Sequence, residues 1–114
     1  MLLVTGLLAE KAVQHYSKES RVESEVFVLK TSIAAFLTPE QIAKELRNLK
    51  NRDFDMILIP GLTRGNTSVV ADATGIPTFK GPKYAADLPV VLEALGKVEL
   101  STVTPACDIL SEEL

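Results

Sequence analysis

A chain of 114 residues, 46% hydrophobic and 24% charged, has the composition of one ordinary globular domain and is too short for two self-sufficient cores. Its net charge of -3 gives no general attraction for nucleic acid or an anionic membrane, so any basic site has to be local. Its apolar runs fall far short of the ~18 residues a membrane span needs, and one cysteine, Cys107, with no basic-then-apolar leader, fits a reducing cytoplasm.

Leu2-Leu3-Val4-Thr5 reads as a first strand, and Gly6 gives a tight exit into a helix whose apolar stripe is Leu8, Ala12, Val13 and Tyr16, ending near Ser17 to Ser20. Glu25 to Leu29, rich in β-formers, is a second strand with Lys30 at its carboxyl end. Ile33-Ala34-Ala35-Phe36-Leu37 then forms an apolar loop, read as a plug over the layer beneath, with a pocket wall or a partner contact as the alternatives. Thr38-Pro39-Glu40-Gln41 is a capping box: Thr38 caps, Pro39 takes the first helical position and Gln41 reaches back. The helix it starts buries Ile42, Leu46 and Leu49.

Met56 to Pro60 is the central strand, since its apolar run bounded by Asp55 and Pro60-Gly61 matches a strand covered on both faces. After the Arg64-Gly65 turn, Asn66 or Thr67 caps a short helix through Ala73 that closes on Gly75. Ile76 to Phe79 is a short fourth strand entered through Pro77 and followed by Lys80-Gly81-Pro82-Lys83. Asp87-Leu88-Pro89 opens a helix carrying Leu88, Val91, Leu92 and Leu95, which stops at Gly96; Val98 to Leu100 is a last strand. Thr104-Pro105 restarts a helix toward Leu114, read as the beginning of a connecting helix in a longer chain. Strands alternating with helices in this way predict a three-layer Rossmann-like or flavodoxin-like α/β sandwich with a mostly parallel sheet of about five strands.

A parallel sheet gathers its strand ends on one rim, where ligands of open α/β folds bind. That rim holds Thr5 and Gly6, Lys30 to Ser32, Gly61 to Gly65, Lys80 to Lys83 and Ser101 to Thr104. Between Gly61 and Lys83 stand three bases, Arg64, Lys80 and Lys83, against one acid, Asp72, in a chain that is acidic overall. Glycines admit backbone N–H groups to a ligand and the bases add full charge, so Gly61, Arg64, Gly65, Lys80, Gly81 and Lys83 form a candidate site for phosphate or carboxylate. The competing reading is ordinary turn residues and surface charge. Asp87 either caps its helix or binds a donor such as a pterin amine. Gly61 to Thr67 is not a P-loop, because the glycine spacing is one short and Asn66 stands at the lysine position. Strands ending in Thr5 and Pro60 argue against a response-regulator receiver, and the short turn after the first strand argues against a flavodoxin. His15 is read as a half-exposed helix residue and Cys107 as a small core residue; neither has companions for a metal site or a nucleophilic pair. No cofactor and no catalytic residue is assigned.

The stretches Ile57 to Gly65, Gly75 to Pro89 and Ala34 to Glu40 together resemble the N-terminal domain of the archaeal dihydropteroate synthase-related proteins, a family also found in some methylotrophic bacteria. The resemblance runs from Leu3 to Pro105. It implies a domain that precedes a dihydropteroate synthase-like (β/α)8 barrel, a transferase joining an activated pterin to an aminobenzoate-type acceptor in tetrahydromethanopterin biosynthesis. The barrel itself, about 250 residues in size, is not in this chain. Arg64, Lys80, Lys83 and Asp87 occupy positions of the family's motifs, without an assigned role. The expectation is therefore an accessory domain that binds a pterin phosphate or similar anion, or docks onto the barrel. The alternatives are a small enzyme acting on a phosphorylated or carboxylated metabolite, and a structural or homo-oligomerising module.

Overall fold

The computed structural model describes residues 1–20, 22–31, 37–47, 54–95, 99–106 and 108–109. Strands β1 (Leu2–Thr5), β2 (Glu25–Val28), β3 (Ile57–Ile59) and β4 (Thr78–Lys80) form one parallel sheet in the order β2-β1-β3-β4. Side chains alternate between the two faces of such a sheet, and both faces are covered. Leu2, Val4, Ile57 and Ile59 face helices α2 (Pro39–Leu46) and α3 (Ser68–Thr74), packing with Ile42, Leu46 and Val70. Leu3 and Leu58 face α1 (Glu10–Ser17) and α4 (Leu88–Glu93), packing with Val13, Val91 and Leu92. The three-layer parallel α/β sandwich expected from the sequence is the fold observed.

Local chemistry explains where the elements begin and end. The Thr38 capping box is present in full: its hydroxyl accepts from Gln41 N–H at 3.2 Å, and Gln41 Oε1 accepts from Thr38 N–H at 2.9 Å. Helix α3 closes on Gly75, whose φ of 74° is the left-handed C-cap conformation. At its other end Asn66 Oδ1 accepts from Ser68 N–H at 2.9 Å, while the Thr67 hydroxyl donates instead to Thr78 O at 2.6 Å.

Several expectations are corrected. Helix α1 begins only at Glu10, behind an Ala9 that makes no side-chain cap, so Leu8 lies before the helix and is 74% exposed rather than in its buried stripe. Strand β3 is three residues long, because Pro60 has no N–H for the ladder and its carbonyl accepts from Thr63 N–H at 3.0 Å, turning the chain. Strand β4 starts two residues later and ends one residue later than expected: Ile76 N–H bonds to Thr74 Oγ1 at 3.2 Å, and Lys80 belongs to the strand rather than to the turn after it. The described residues give four strands rather than about five. Val98 is outside them, and Glu99 and Leu100 form no strand, although Lys80 N–H donates to Ser101 O at 2.9 Å along the outer edge of β4. Ser32 to Phe36, Leu49, Gly96, Cys107 and residues 110–114 also lie outside the described residues, so the readings of the cysteine and of most of the apolar loop fall there. Leu37, the loop's last residue, packs against the α2–α3 core, and the expected final helix begins as a helical turn at Ala106, Asp108 and Ile109, with Ile109 N–H donating to Pro105 O at 3.3 Å. No helix among the described residues is long and apolar enough to cross a membrane.

Candidate functional site

From β1 the chain moves to β2 on one side of the sheet, and from β3 to β4 on the other. The carboxyl ends of β1 and β3 therefore flank the topological switch point, where the connections diverge and leave a crevice. A cavity of about 180 Å3 lies there, walled by Thr5 and Gly6 at the end of β1, Pro60 and Leu62 from the loop after β3, and Gly81 and Lys83 from the loop after β4. Leu3, Val13, Leu58 and Leu88 from the α1–α4 core also line it.

Lys83 is the charged residue of this wall, and its Nζ lies 3.1 Å from Asp108 Oδ1, so its charge is matched within the chain. The remaining wall is mostly hydrocarbon, and its mouth carries side chains that the fold leaves out. Leu8 and Leu62, both lining residues, are 74% and 52% exposed, and Leu7 and Tyr84 beside the wall are 58% and 65% exposed. An apolar hollow with an apolar rim takes an apolar group far better than a free anion.

The candidate residues from the sequence do not gather in this cavity. Gly81 and Lys83 line it; Gly61, Arg64, Gly65, Lys80 and Asp87 do not. Gly61 is a packing residue: a Cβ there would meet Gly81 O at 2.5 Å, Pro82 C at 2.8 Å and Lys83 N at 2.9 Å. Its N–H donates to Pro82 O at 3.1 Å, clamping the loop after β3 to the loop after β4. Gly65 lies against the Pro39 ring at the start of α2. Arg64 is exposed, with no hydrogen bond or ion pair among the described residues. Asp87 is half-buried at the N-cap of α4 and makes no side-chain cap bond, so the expected capping role is not seen; it lies outside the cavity wall.

Lys80 is 5% exposed and alternates with Phe79, which packs in the α1–α4 core, so its side chain belongs to the α2–α3 face. Burial without a compensating charge holds its ammonium below the usual lysine range. Thr63 is 1% exposed and its Oγ1 has no hydrogen-bond partner among the described residues. No sequence signal marked Thr63, and Leu8 and Leu62 read as core or turn residues because exposure of a single leucine leaves no periodic trace. Among the described residues no cluster of three or more His, Cys, Asp or Glu side chains is placed to hold a metal.

An uncharacterized protein of Methanocaldococcus jannaschii is 38% identical to this chain over 109 residues, which is 90% of the chain and 21% of the relative. The chain thus spans about a fifth of the length of this curated relative. No solved structure matches it. A family model described only as a family of unknown function, DUF6513, matches residues 1–83. Those residues contain all four strands, the clamp at Gly61 and both loops at the cavity mouth, and the chain belongs to that family.

Proposed function

We propose that this chain is a non-catalytic docking domain of a longer dihydropteroate synthase-related protein, and that its switch-point cavity with the leucine rim is the face covered by the remainder of that protein. The observation that carries the reading is an apolar hollow surrounded by exposed Leu7, Leu8, Leu62 and Tyr84. The much greater length of the Methanocaldococcus relative supports a larger neighbour in the same chain. The sequence resemblance supplies its nature, a barrel of the pterin-transferase type in tetrahydromethanopterin biosynthesis, working in the cytoplasm.

Docking is favoured over direct pterin binding by the composition of the wall. A pterin ring needs polar partners on its edge, and Asp87, the residue expected to meet its amine, stands outside the cavity. Burying a leucine fully is worth about 1.5–3 kcal/mol, so covering the exposed parts of Leu8 and Leu62 gives roughly 2–4 kcal/mol in total. That is weak between separate molecules, but a tether supplying an effective concentration in the millimolar range makes it sufficient.

The test keeps the tether and compares amide hydrogen exchange of residues 7–8 and 61–63 in the longer protein, in its Leu62→Asp variant and in the 114-residue chain. The longer protein protects these amides relative to the short chain, and Leu62→Asp removes the protection without unfolding the chain. Equal exchange in the longer protein and the short chain removes the docking reading. Self-association of the chain that Leu62→Asp abolishes would instead assign the rim to a second copy.

A further inference from the structure

We infer that Lys80 and Thr63 form the floor of a second site, separate from the apolar cavity, that takes a phosphate-type oxyanion with Arg64 at its mouth. The topology brings these residues together. Lys80 lies beside Ile59 in the β3–β4 register, one strand spacing of about 4.8 Å away. Immediately after Ile59, Pro60 O accepts from Thr63 N–H at 3.0 Å, a turn that keeps Thr63 within about 7 Å of the strand end. The loop leans toward the face on which Lys80 lies, since Gly65 rests on Pro39 of α2 and the Thr67 hydroxyl donates to Thr78 O, two residues before Lys80. The segment at Ser101 and Thr102 closes the outer side, accepting from Lys80 N–H at 2.9 Å and Thr67 N–H at 3.0 Å.

Thr63 Oγ1 is buried without a hydrogen-bond partner among the described residues; Lys80 is 5% exposed as a whole residue, and its ammonium, which is not fully shielded from solvent, has neither a hydrogen bond nor an ion pair among them. Buried polar groups are nearly always satisfied, and a buried charge is normally paired. The ammonium only donates and the hydroxyl can donate as well as accept, so one group that takes a hydrogen bond from both is an acceptor, and the uncompensated positive charge selects a negative one. Arg64, exposed on the residue next to Thr63, adds a planar two-pronged donor suited to the outer oxygens of a phosphate. Lys83, already matched by Asp108, is not needed. This site does not rest on the docking reading.

The test uses inorganic phosphate and diphosphate as probes, with acetate and chloride at equal ionic strength as controls. Melting temperature and calorimetric affinity are measured for the wild type, Thr63→Val and Lys80→Met. Both substitutions nearly preserve shape and remove one donor, and a donor to a charged acceptor is worth roughly tenfold or more in Kd. The wild type is expected to be stabilised by phosphate or diphosphate above the controls. Each variant loses at least tenfold in affinity while melting, without anion, at or above the wild-type temperature, because an unpartnered buried group has gone. A wild type that responds no differently to phosphate and diphosphate than to acetate and chloride overturns the site. So do variants that melt lower yet keep wild-type phosphate affinity, since both residues are then purely structural.

Discussion

Replacing Gly61 by alanine tests whether this glycine is a packing residue. The new Cβ would stand 2.5, 2.8 and 2.9 Å from backbone atoms of Gly81, Pro82 and Lys83, none of which can swing aside as a side-chain tip can. Overpacking of this kind costs about 1–3 kcal/mol, and spoiling the Gly61–Pro82 hydrogen bond adds about 1 kcal/mol. Stiffening the unfolded chain returns about 0.5 kcal/mol, leaving a net loss of about 1.5–3.5 kcal/mol. With an unfolding entropy of about 2.1 cal/mol/K per residue, a domain of this size loses about 4 °C for each kcal/mol, so the fall is about 6–14 °C. Gly75→Ala is the control. Nothing lies within 4 Å of its Cβ position, and only its φ of 74° opposes the change, which costs about 1–2 kcal/mol before the same return. Thermal unfolding followed by circular dichroism compares the two. A Gly61→Ala fall no larger than that of Gly75→Ala would refute the clamp.

Thr38→Ala removes the hydroxyl that accepts from Gln41 N–H, leaving the backbone N–H of residue 38 to donate to Gln41 Oε1, and should cost about 1 kcal/mol, read as a fall of about 4 °C. Lys80 gives a pH signature. Below its lowered folded pKa both states hold the proton and the folded state bears the full penalty; from there up to the ordinary 10.5 the unfolded chain alone keeps it, so stability rises with pH. The stability of the wild type relative to Lys80→Met, measured by urea unfolding without phosphate, should therefore improve between neutral pH and about pH 10; a pH-independent difference would contradict this. The isolated chain incubated with a pterin diphosphate and an aminobenzoate acceptor should form no pteroate, and product detected by chromatography would make it an enzyme.

Much of the fold was legible because the signals were local and redundant. Thr38, Pro39 and Gln41 specify a helix start by hydrogen bonds they can make only there, and the apolar run at Ile57 to Ile59 has the length and flanks of a strand buried on both faces. The start of α1 was less legible, since Ala9 offers no cap and Leu7-Leu8 continues the apolar pattern past the helix. The site was legible only as a rim. Charge near strand ends pointed to Arg64, Lys80 and Lys83, but the side to which each projects depends on strand phase. Strand β4 runs one residue further than expected, which puts Lys80 inside the strand and on the α2–α3 face, while Lys83 meets Asp108 of a distant segment. Gly61 shows the same limit: its glycine signals that a backbone must come close without showing to what, and the neighbour is the loop after β4.

The most direct test of the docking claim places a thiol at the rim by Leu8→Cys, at a position 74% exposed in this chain. Its labelling rate with a small maleimide, corrected for the background of Cys107, is compared in the 114-residue chain and in the longer protein. Rapid labelling in the short chain with at least tenfold protection in the longer protein is the predicted result; equal rates in the two would contradict it.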